Sequence, residues 1–229
     1  MLLLLAVAIA GCASAPPKQQ PTGQTQVLRA VAEPEVRRPL VDVRAALPDV
    51  VCELRYATSN NLTGAPVYPS NMPCLLEAST VEKLRRAQAV LRAQGLGLKI
   101  WDAWRPAEVQ VELYDKATNK NLFVDPREAW SKHCAGMAVD VTLVDKAGHP
   151  MRMPSDFDAS GPQAWRVYQG SDPVVRLNLL TLQTAMAEAG FKTIELEWWH
   201  FDDTDFNESA PPPPVFASSM GIVLPFLRR

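Results

Sequence analysis

The chain has 229 residues, of which 47% are hydrophobic and 21% are charged, and its formal net charge is -2. This composition is typical of a globular protein, and the absence of a basic stripe argues against nucleic acid as a partner. Composition excludes no class of enzyme, so the function has to be inferred from motifs.

The first segment is an apolar run that ends at Ile9–Cys12. A bilayer crossing takes roughly 20 apolar residues, so residues 1–11 are predicted to be a signal segment. The Ile-Ala-Gly-Cys ending resembles the lipobox of bacterial lipoproteins, although no lysine or arginine precedes the run. We therefore expect lipidation at Cys12, a membrane anchor, and export to the periplasm or the cell exterior. Residues 12–39 are rich in Ala, Pro, Gln and Thr, which predicts a flexible tether.

Globular composition starts near residue 40, and residues 40–206 are enough for one domain with a core. Val50–Tyr56 is predicted to be a strand. A helix follows it, with Ser79 and Glu82 as a capping box and Gly95 as the expected end.

Leu96–Trp101 alternates in apolar character, which predicts a second strand that places Arg105 just beyond its end. Pro106 suits the first position of the next helix. A further helix is expected between Pro173 and Gly190. One side of that helix carries Val174, Leu177, Leu180 and Thr181. This mixture of strands and helices predicts a single α+β domain with a mainly antiparallel central sheet flanked by helices.

Two stretches carry the candidate chemistry, Ser131–Asp140 and Glu197–His200. The chain has three histidines, and two of them lie in these stretches, each close to a carboxylate. Imidazole nitrogen and carboxylate oxygen are common zinc ligands, and a catalytic zinc has three protein ligands and one open position. Glu197 would then be free to act as the general base. The candidate ligands are His133, Asp140 and His200.

The spacing within these stretches requires two breaks in regular structure. His133 and Asp140 are an odd number of residues apart, so one regular strand would place their side chains on opposite faces. We therefore expect Ala135-Gly136 to turn the chain before a strand begins at Met137. Glu197 and His200 are also an odd number of residues apart, so a regular strand would place their side chains on opposite faces. The predicted strand Thr193–Trp198 should therefore bend or end between them.

Neighbouring aromatic and histidine residues are predicted to have no catalytic role. Trp198 and Trp199 are expected to pack in the core rather than to bind substrate. His149 is expected to be exposed on a turn.

Three cysteines remain beyond Cys12, so at least one of them has a free thiol unless it pairs with another molecule. In an exported protein we expect a disulfide between Cys52 and Cys74 and a free thiol at Cys134.

The last segment, residues 207–229, contains the run Pro211–Pro214 and then an apolar stretch. Gly221 and Pro225 interrupt that stretch, which is too short to cross a membrane. The sequence leaves open whether this tail packs on the domain, touches a membrane surface or is disordered.

Taken together, the motifs resemble the zinc D,D-peptidases related to VanX, which are D-alanyl-D-alanine dipeptidases. Ser131–Asp140 and Glu197–His200 match the metal-site signatures of that family. Three further stretches match in the right order, and they are Arg55–Gly64, Trp101–Pro106 and Met153–Asp158. The resemblance implies an α+β fold shared with D,D-carboxypeptidases and the hedgehog amino-terminal domain.

The resemblance also implies a role for each site residue. His133, Asp140 and His200 become the ligands of one Zn²⁺, and Glu197 becomes the catalytic base. Arg105 matches the arginine that stabilises the developing oxyanion. Two further residues, Ser131 and Asp158, match positions near the substrate.

The implied reaction is hydrolysis of the dipeptide D-alanyl-D-alanine to two D-alanines in cell-wall turnover. No obligate protein partner is evident from the sequence. Two alternatives stay open at this point. One is a D,D-carboxypeptidase or wall endopeptidase on the same zinc site, and the other is a non-catalytic wall-binding lipoprotein.

Overall fold

A computed structural model describes residues 39–228, so the predicted signal segment, Cys12 and nearly all of the predicted tether lie outside the described residues. Within residues 39–228, seven strands form two sheets. They are β1 (Leu40–Asp42), β2 (Val51–Cys52), β3 (Leu75–Glu77), β4 (Leu96–Asp102), β5 (Ala138–Asp145), β6 (Phe191–Thr193) and β7 (His200–Asp203). The four α-helices among these residues are α1 (Val43–Ala46), α2 (Ala78–Arg92), α3 (Ala107–Lys116) and α4 (Pro173–Glu188).

The central sheet has five strands in the order β2-β4-β5-β7-β6, and a small second sheet pairs β1 with β3. Only β2 runs parallel to its neighbour, and the other three pairings of the central sheet are antiparallel. Helices α2 and α4 pack against each other and against this sheet. The predicted α+β class with a mainly antiparallel sheet is therefore confirmed.

Strands β4 and β5 are buried on both faces, and most of their residues are apolar. Strand alternation places Ile100 and Val141 on one face and Trp101 and Asp140 on the other. An aromatic layer covers the second face: the Trp101 ring contacts Phe157 and Trp198 at centroid distances of 5.7 and 5.6 Å. Trp198 and Trp199 are fully buried in this layer, as predicted.

The register of the three central strands aligns polar residues in one row. A bulge in β4 between Ile100 and Asp102 shifts the register, so that Asp102 is paired with Asp140 of β5, and Asp140 is paired with His200 of β7. Directly paired residues of an antiparallel sheet project their side chains to the same side at close range. The sheet therefore brings together residues that are far apart in the sequence.

Several predicted boundaries are wrong. The strand predicted over Val50–Tyr56 is only Val51–Cys52, because the chain leaves the sheet after Glu53 and forms a 3-10 turn at Arg55–Ala57. The Tyr56 carbonyl instead accepts backbone hydrogen bonds from Val67 and Tyr68.

Helix starts also differ from the predictions. Ser79 does not cap α2; the Glu77 carboxylate accepts a 2.7 Å hydrogen bond from the Ser79 amide, and Glu82 pairs with Arg85. Pro106 is the N-cap of α3 rather than its first helical residue.

Helix α4 spans Pro173–Glu188 between the predicted Pro173 start and Gly190. The side of α4 that carries Val174, Leu177 and Leu180 faces solvent. The neighbouring side, which includes Leu179 and Leu182, packs into the core.

The predicted strand Thr193–Trp198 is also wrong, since β6 ends at Thr193 and a turn leads into β7. The predicted break between Glu197 and His200 is confirmed: the His200 amide contacts the Glu197 carbonyl at 3.4 Å across that turn. Glu197 thus lies on a turn at the edge of the aromatic layer.

The C-terminal tail packs on the domain. The Val215 carbonyl accepts hydrogen bonds from the Ala107 amide at 3.1 Å and from Trp104 Nε1 at 3.2 Å. The Val215 amide donates to the carbonyl of Cys134 at 2.8 Å. Leu224 is fully buried. None of the helices in residues 39–228 has the length and apolar character that a bilayer crossing needs.

Candidate active site

Three side chains from two strands and one turn form a compact, buried cluster. His133 lies on the 3-10 turn Lys132–Ala135. The next residue, Gly136, is in the left-handed conformation and turns the chain before β5, as predicted. Asp140 and His200 are direct cross-strand neighbours on β5 and β7. The three side chains offer one ligand atom each, all within 4.8 Å of one another.

The distances within the cluster fit zinc. His133 Nε2 lies 3.1 Å from His200 Nδ1 and 3.4 Å from Asp140 Oδ1, and His200 Nδ1 lies 3.1 Å from Asp140 Oδ1. Ligands placed about 2.0–2.2 Å from a tetrahedral centre are separated by about 3.3–3.6 Å. Two imidazole nitrogens and one carboxylate oxygen in this triangle match both the donor set and the size of a catalytic zinc site.

Both histidines are oriented by a second hydrogen bond on the ring nitrogen that points away from the triangle. His133 Nδ1 lies 2.7 Å from the carbonyl oxygen of Ala103, and His200 Nε2 lies 2.9 Å from Asp202 Oδ1. An N–H on these outer nitrogens leaves the lone pairs of the inner nitrogens facing the triangle.

The charges in the cluster favour the binding of a cation. Burial alone would raise the pKa of Asp140, but the adjacent His133 and His200 hold it below its usual range. Burial alone would lower the pKa of His200, but hydrogen bonds to Asp140 and Asp202 raise it to about 10. The two carboxylates therefore favour a cation at the position of the His200 ring.

Glu197 is placed beside the triangle by the turn that precedes β7. Its Oε2 lies 3.9 Å from His200 Nδ1, and its side chain is 13% exposed. Burial raises the pKa of Glu197 to about 8, against the opposing effect of His200. A carboxylate whose pKa is near neutral is suited to accept a proton and return it.

Arg105 lies beside the triangle, with its Nη2 3.7 Å from Asp140 Oδ2, and several neighbours fix its position. Its Nε and Nη2 both lie 2.9 Å from Asp102 Oδ2, and its Nη1 donates to Gln110 Oε1 at 3.0 Å. Tyr68 donates to the other oxygen of Asp102 at 2.8 Å. The ring of Tyr56 stacks on the guanidinium at 5.2 Å. Arg105 is 5% exposed and lines the same cavity as the cluster.

The cavity over these residues has a volume of about 310 Å³. This is at the lower end of the range for ligand pockets, about 300–1,000 Å³. Its apolar walls include Phe123, Trp130 and Phe206. The cavity therefore suits a small ligand.

Ser131 and Asp158, the two remaining predicted site residues, also line the cavity. Asp158 accepts hydrogen bonds from the Tyr56 hydroxyl at 3.2 Å and from the Leu62 amide at 2.9 Å. Its backbone is in the left-handed conformation, with φ 56°, which is uncommon for a residue other than glycine and often marks a functional site. Burial raises the pKa of Asp158 to about 7.

The structure thus brings together every predicted metal, base and substrate residue that it describes. His149, in contrast, is exposed and pairs with Asp145 at 3.1 Å, as expected for a residue without a catalytic role. Cys134 is buried and lies outside the metal-ligand cluster found among the described residues.

Sequence reasoning missed two carboxylates that support the site, Asp102 and Asp202. Each had a signal in the sequence: Asp102 comes three residues before Arg105, and Asp202 comes two residues after His200 and so shares its face on a strand.

Comparisons with known proteins agree with this geometry. The family model of Peptidase M15, described as D-ala-D-ala dipeptidase, matches residues 37–212. The D-alanyl-D-alanine dipeptidase of Escherichia coli (strain K12) is 33% identical over 163 residues, which cover 71% of this chain and 83% of that protein. The D-alanyl-D-alanine dipeptidase of Enterococcus faecalis (strain ATCC 700802 / V583) is 27% identical over 181 residues, 68% of this chain and 90% of that protein.

A solved structure of the vancomycin resistance D,D-pentapeptidase VanY with Zn(II) is 18% identical in sequence, and the match covers 60% of this chain and 76% of that chain. Its TM-score is 0.35, so the family assignment rests on the sequence comparisons. The family match spans most of the described domain and contains all of the clustered residues. The chain belongs to the Peptidase M15 family of D-alanyl-D-alanine dipeptidases.

Proposed function

We propose that this chain is a zinc dipeptidase that hydrolyses D-alanyl-D-alanine to two molecules of D-alanine. The observation that carries the proposal is the triangle of His133, Asp140 and His200 in one small cavity with Glu197 and Arg105. When bound, Zn²⁺ supplies a Lewis acid that polarises the scissile carbonyl and acidifies water.

Glu197 moves the proton in this reaction. Its carboxylate takes a proton from the attacking water, whose oxygen forms the new bond to the carbonyl carbon of the peptide. The same carboxyl group then gives that proton to the nitrogen of the second D-alanine as the C–N bond breaks. A pKa raised by burial suits both directions of transfer.

Arg105 stabilises the negative charge that develops on the carbonyl oxygen. Its guanidinium is fixed by Asp102, Gln110 and Tyr56, so that little reorganisation is required during the reaction. Three of its five N–H groups are occupied by the Asp102 and Gln110 contacts. The remaining donors lie on Nη1 and Nη2.

The free dipeptide has a charged group at each end, and the cavity offers a polar residue for each. The Asp158 carboxylate suits the ammonium group, because burial disfavours its charged form more than Arg105 and its hydrogen bonds favour that form, so a further positive partner would stabilise it. The Ser131 hydroxyl is a candidate hydrogen-bond donor to the carboxylate end. Recognition of both ends would favour a free dipeptide over a longer peptide.

For cellular location, we propose export and lipid anchoring through Cys12, on the evidence of the lipobox-like sequence Ile9–Cys12. An enzyme outside the cytoplasm would salvage dipeptide released by wall turnover and would not deplete the cytoplasmic precursor pool. Recovery of an unlipidated protein from the cytoplasmic fraction would contradict this part of the proposal.

We also propose that Cys52 and Cys74 form a disulfide in the exported protein. Both are free thiols in the structure, and they lie close enough that each shifts the pKa of the other, which is raised for Cys74 and lowered for Cys52. Alkylation of the denatured protein without reductant, followed by mass spectrometry, would detect the bond. Two alkylated thiols at these positions in protein taken from cells would count against it.

The deciding experiment measures D-alanine release from D-alanyl-D-alanine by the purified protein, with and without added zinc, beside Glu197→Gln. Asp145→Asn serves as the control, since it alters an exposed carboxylate on the far turn. Zinc-dependent release that is lost only in Glu197→Gln is the expected result. Activity on a pentapeptide stem but not on the dipeptide would reassign the chain to the carboxypeptidases, and inactivity on both would favour a binding protein.

A further inference from the structure

A second carboxylate, that of Asp202, lies behind the metal triangle. Asp202 is two residues after His200 on β7, so both side chains project from the same face of the strand. Its Oδ1 lies 2.9 Å from His200 Nε2, and the residue is 4% exposed. Asp202 therefore contacts the one ring nitrogen of His200 that faces away from the triangle.

The other oxygen of Asp202 is held by Lys132. Lys132 Nζ lies 2.7 Å from Asp202 Oδ2 and 2.8 Å from Glu208 Oε1. Lys132 is the residue before His133, on the same 3-10 turn. The ion pair between Lys132 and Asp202 therefore joins the turn that supplies one metal ligand to the strand that supplies another.

Zinc in the triangle would require a lone pair on Nδ1 of His200, so the single N–H of the ring would lie on Nε2, where Asp202 accepts it. A neutral imidazole has one N–H and one lone pair, and a carboxylate accepts hydrogen bonds only. With the N–H on Nε2 toward Asp202, the lone pair on Nδ1 faces Asp140 Oδ1 and His133 Nε2, each 3.1 Å away. The other tautomer would turn an N–H into the triangle and would block coordination.

We propose that Asp202 is a positioning residue for zinc, which holds His200 in its metal-binding tautomer, and that Lys132 keeps Asp202 in place. The proposal rests on the proposed function only in taking the triangle as a zinc site. It assigns Asp202 no contact with the substrate. His133 Nδ1 lies 2.7 Å from the neutral carbonyl of Ala103 and 3.8 Å from Asp102 Oδ2. Asp202 is therefore the carboxylate outside the triangle that lies within hydrogen-bond distance of a metal ligand.

The test is the dissociation constant for zinc, measured by competition with a chromophoric chelator. Loss of an outer partner of a metal ligand costs roughly 10- to 100-fold in metal affinity, and we expect a loss of this size in Asp202→Ala. Asp202→Asn keeps an acceptor oxygen without the charge, so its loss should be smaller. Lys132→Met should weaken zinc binding in the same direction.

The matched control is Asp145→Asn, which removes a carboxylate from His149 at 3.1 Å on an exposed turn and should leave zinc affinity unchanged. A folded Asp202→Ala protein that binds zinc within about twofold of the parent chain would overturn the proposal. Should Asp202→Ala fail to fold, Asp202→Asn and Lys132→Met decide the question, and parental affinity in both would overturn it.

A spectroscopic readout separates positioning from a general structural role. Long-range ¹H–¹⁵N correlation spectra identify the protonated nitrogen of each histidine ring. In the zinc-loaded parent protein we expect a downfield proton signal for the Nε2–H of His200, because this group donates to the Asp202 carboxylate, and we expect the signal to move upfield in zinc-loaded Asp202→Ala. An unchanged Nε2–H signal in that variant would refute the mechanism. Neither measurement uses a substrate, so failure of the dipeptidase assay would leave both results interpretable.

Discussion

Asp158 offers a sharp test of how the cavity recognises the charged end of its substrate, through the variant Asp158→Asn. Asparagine has nearly the same size and, like aspartate, tolerates the left-handed backbone found at this position, where φ is 56°. The substitution therefore removes the charge with little change in the local structure.

The size of the effect follows from the buried position of the carboxylate. A hydrogen bond that involves a charged group contributes about 1.5–3 kcal/mol, and each 1.4 kcal/mol is a factor of 10 in affinity. We therefore expect the KM of Asp158→Asn to be about 10- to 100-fold higher than that of the parent enzyme at pH 8, with a smaller effect on kcat. KM reports affinity where chemistry is slower than substrate dissociation.

The dependence on pH provides the second half of the test. Burial raises the pKa of Asp158 to about 7, so the group is mainly ionised at pH 8 and mainly neutral at pH 5. As the pH falls through 7, the parent enzyme loses the ion pair with the substrate ammonium, and its KM should rise toward that of the variant.

The assay is the ratio of the two KM values between pH 5 and pH 8, in saturating zinc. Other titrating groups, Glu197 included, are shared by both proteins and largely cancel in the ratio. A ratio that stays constant across this range, or that is near one at pH 8, would refute the assignment of Asp158 to the ammonium group.

Three further predictions address other parts of the molecule. Arg105→Lys should lower kcat by about 100- to 1,000-fold, because a lysine cannot replace the guanidinium fork that the Asp102 carboxylate holds. A kcat close to that of the parent enzyme would show that Arg105 does not stabilise the oxyanion. A disulfide between Cys52 and Cys74 should stabilise the domain by about 3 kcal/mol, which corresponds to roughly 6 to 12 °C in Tm. Thermal unfolding with and without reductant measures this difference, and equal Tm values would exclude a stabilising disulfide. Leu224→Ala should destabilise the domain by about 2–5 kcal/mol because its side chain is fully buried, whereas the exposed Val223→Ala should have little effect in the same denaturant titration.

The sequence was sufficient to predict the fold class and the residues of the metal triangle. Local patterns were enough for these predictions. The alternation of apolar residues along residues 137–143 identified the strand that presents Asp140, and the odd spacing of Glu197 and His200 required the turn that the structure contains. Resemblance to a known family added the role of Arg105, which spacing alone could not distinguish from a surface residue.

Long-range contacts could not be predicted from local patterns. The tail was left without a location, because the hydrogen bonds of Val215 join it to residues about 80 to 110 positions earlier in the chain. Glu77 rather than Ser79 caps α2, because β3 runs directly into the helix and leaves the Glu77 carboxylate beside its first amides. In both cases tertiary contacts decided between local alternatives of similar strength.

The packing of the tail has a consequence for biosynthesis. Proteins are made from the N-terminus, so Val215 emerges after all of the catalytic residues. Its carbonyl binds the start of α3 just beyond Arg105, and its amide binds the carbonyl of Cys134 beside His133. The two segments that flank the site thus gain their shared support only after residue 215 has been synthesised. A chain that stops before that residue would contain every catalytic side chain but lack the segment that bonds to both flanking segments.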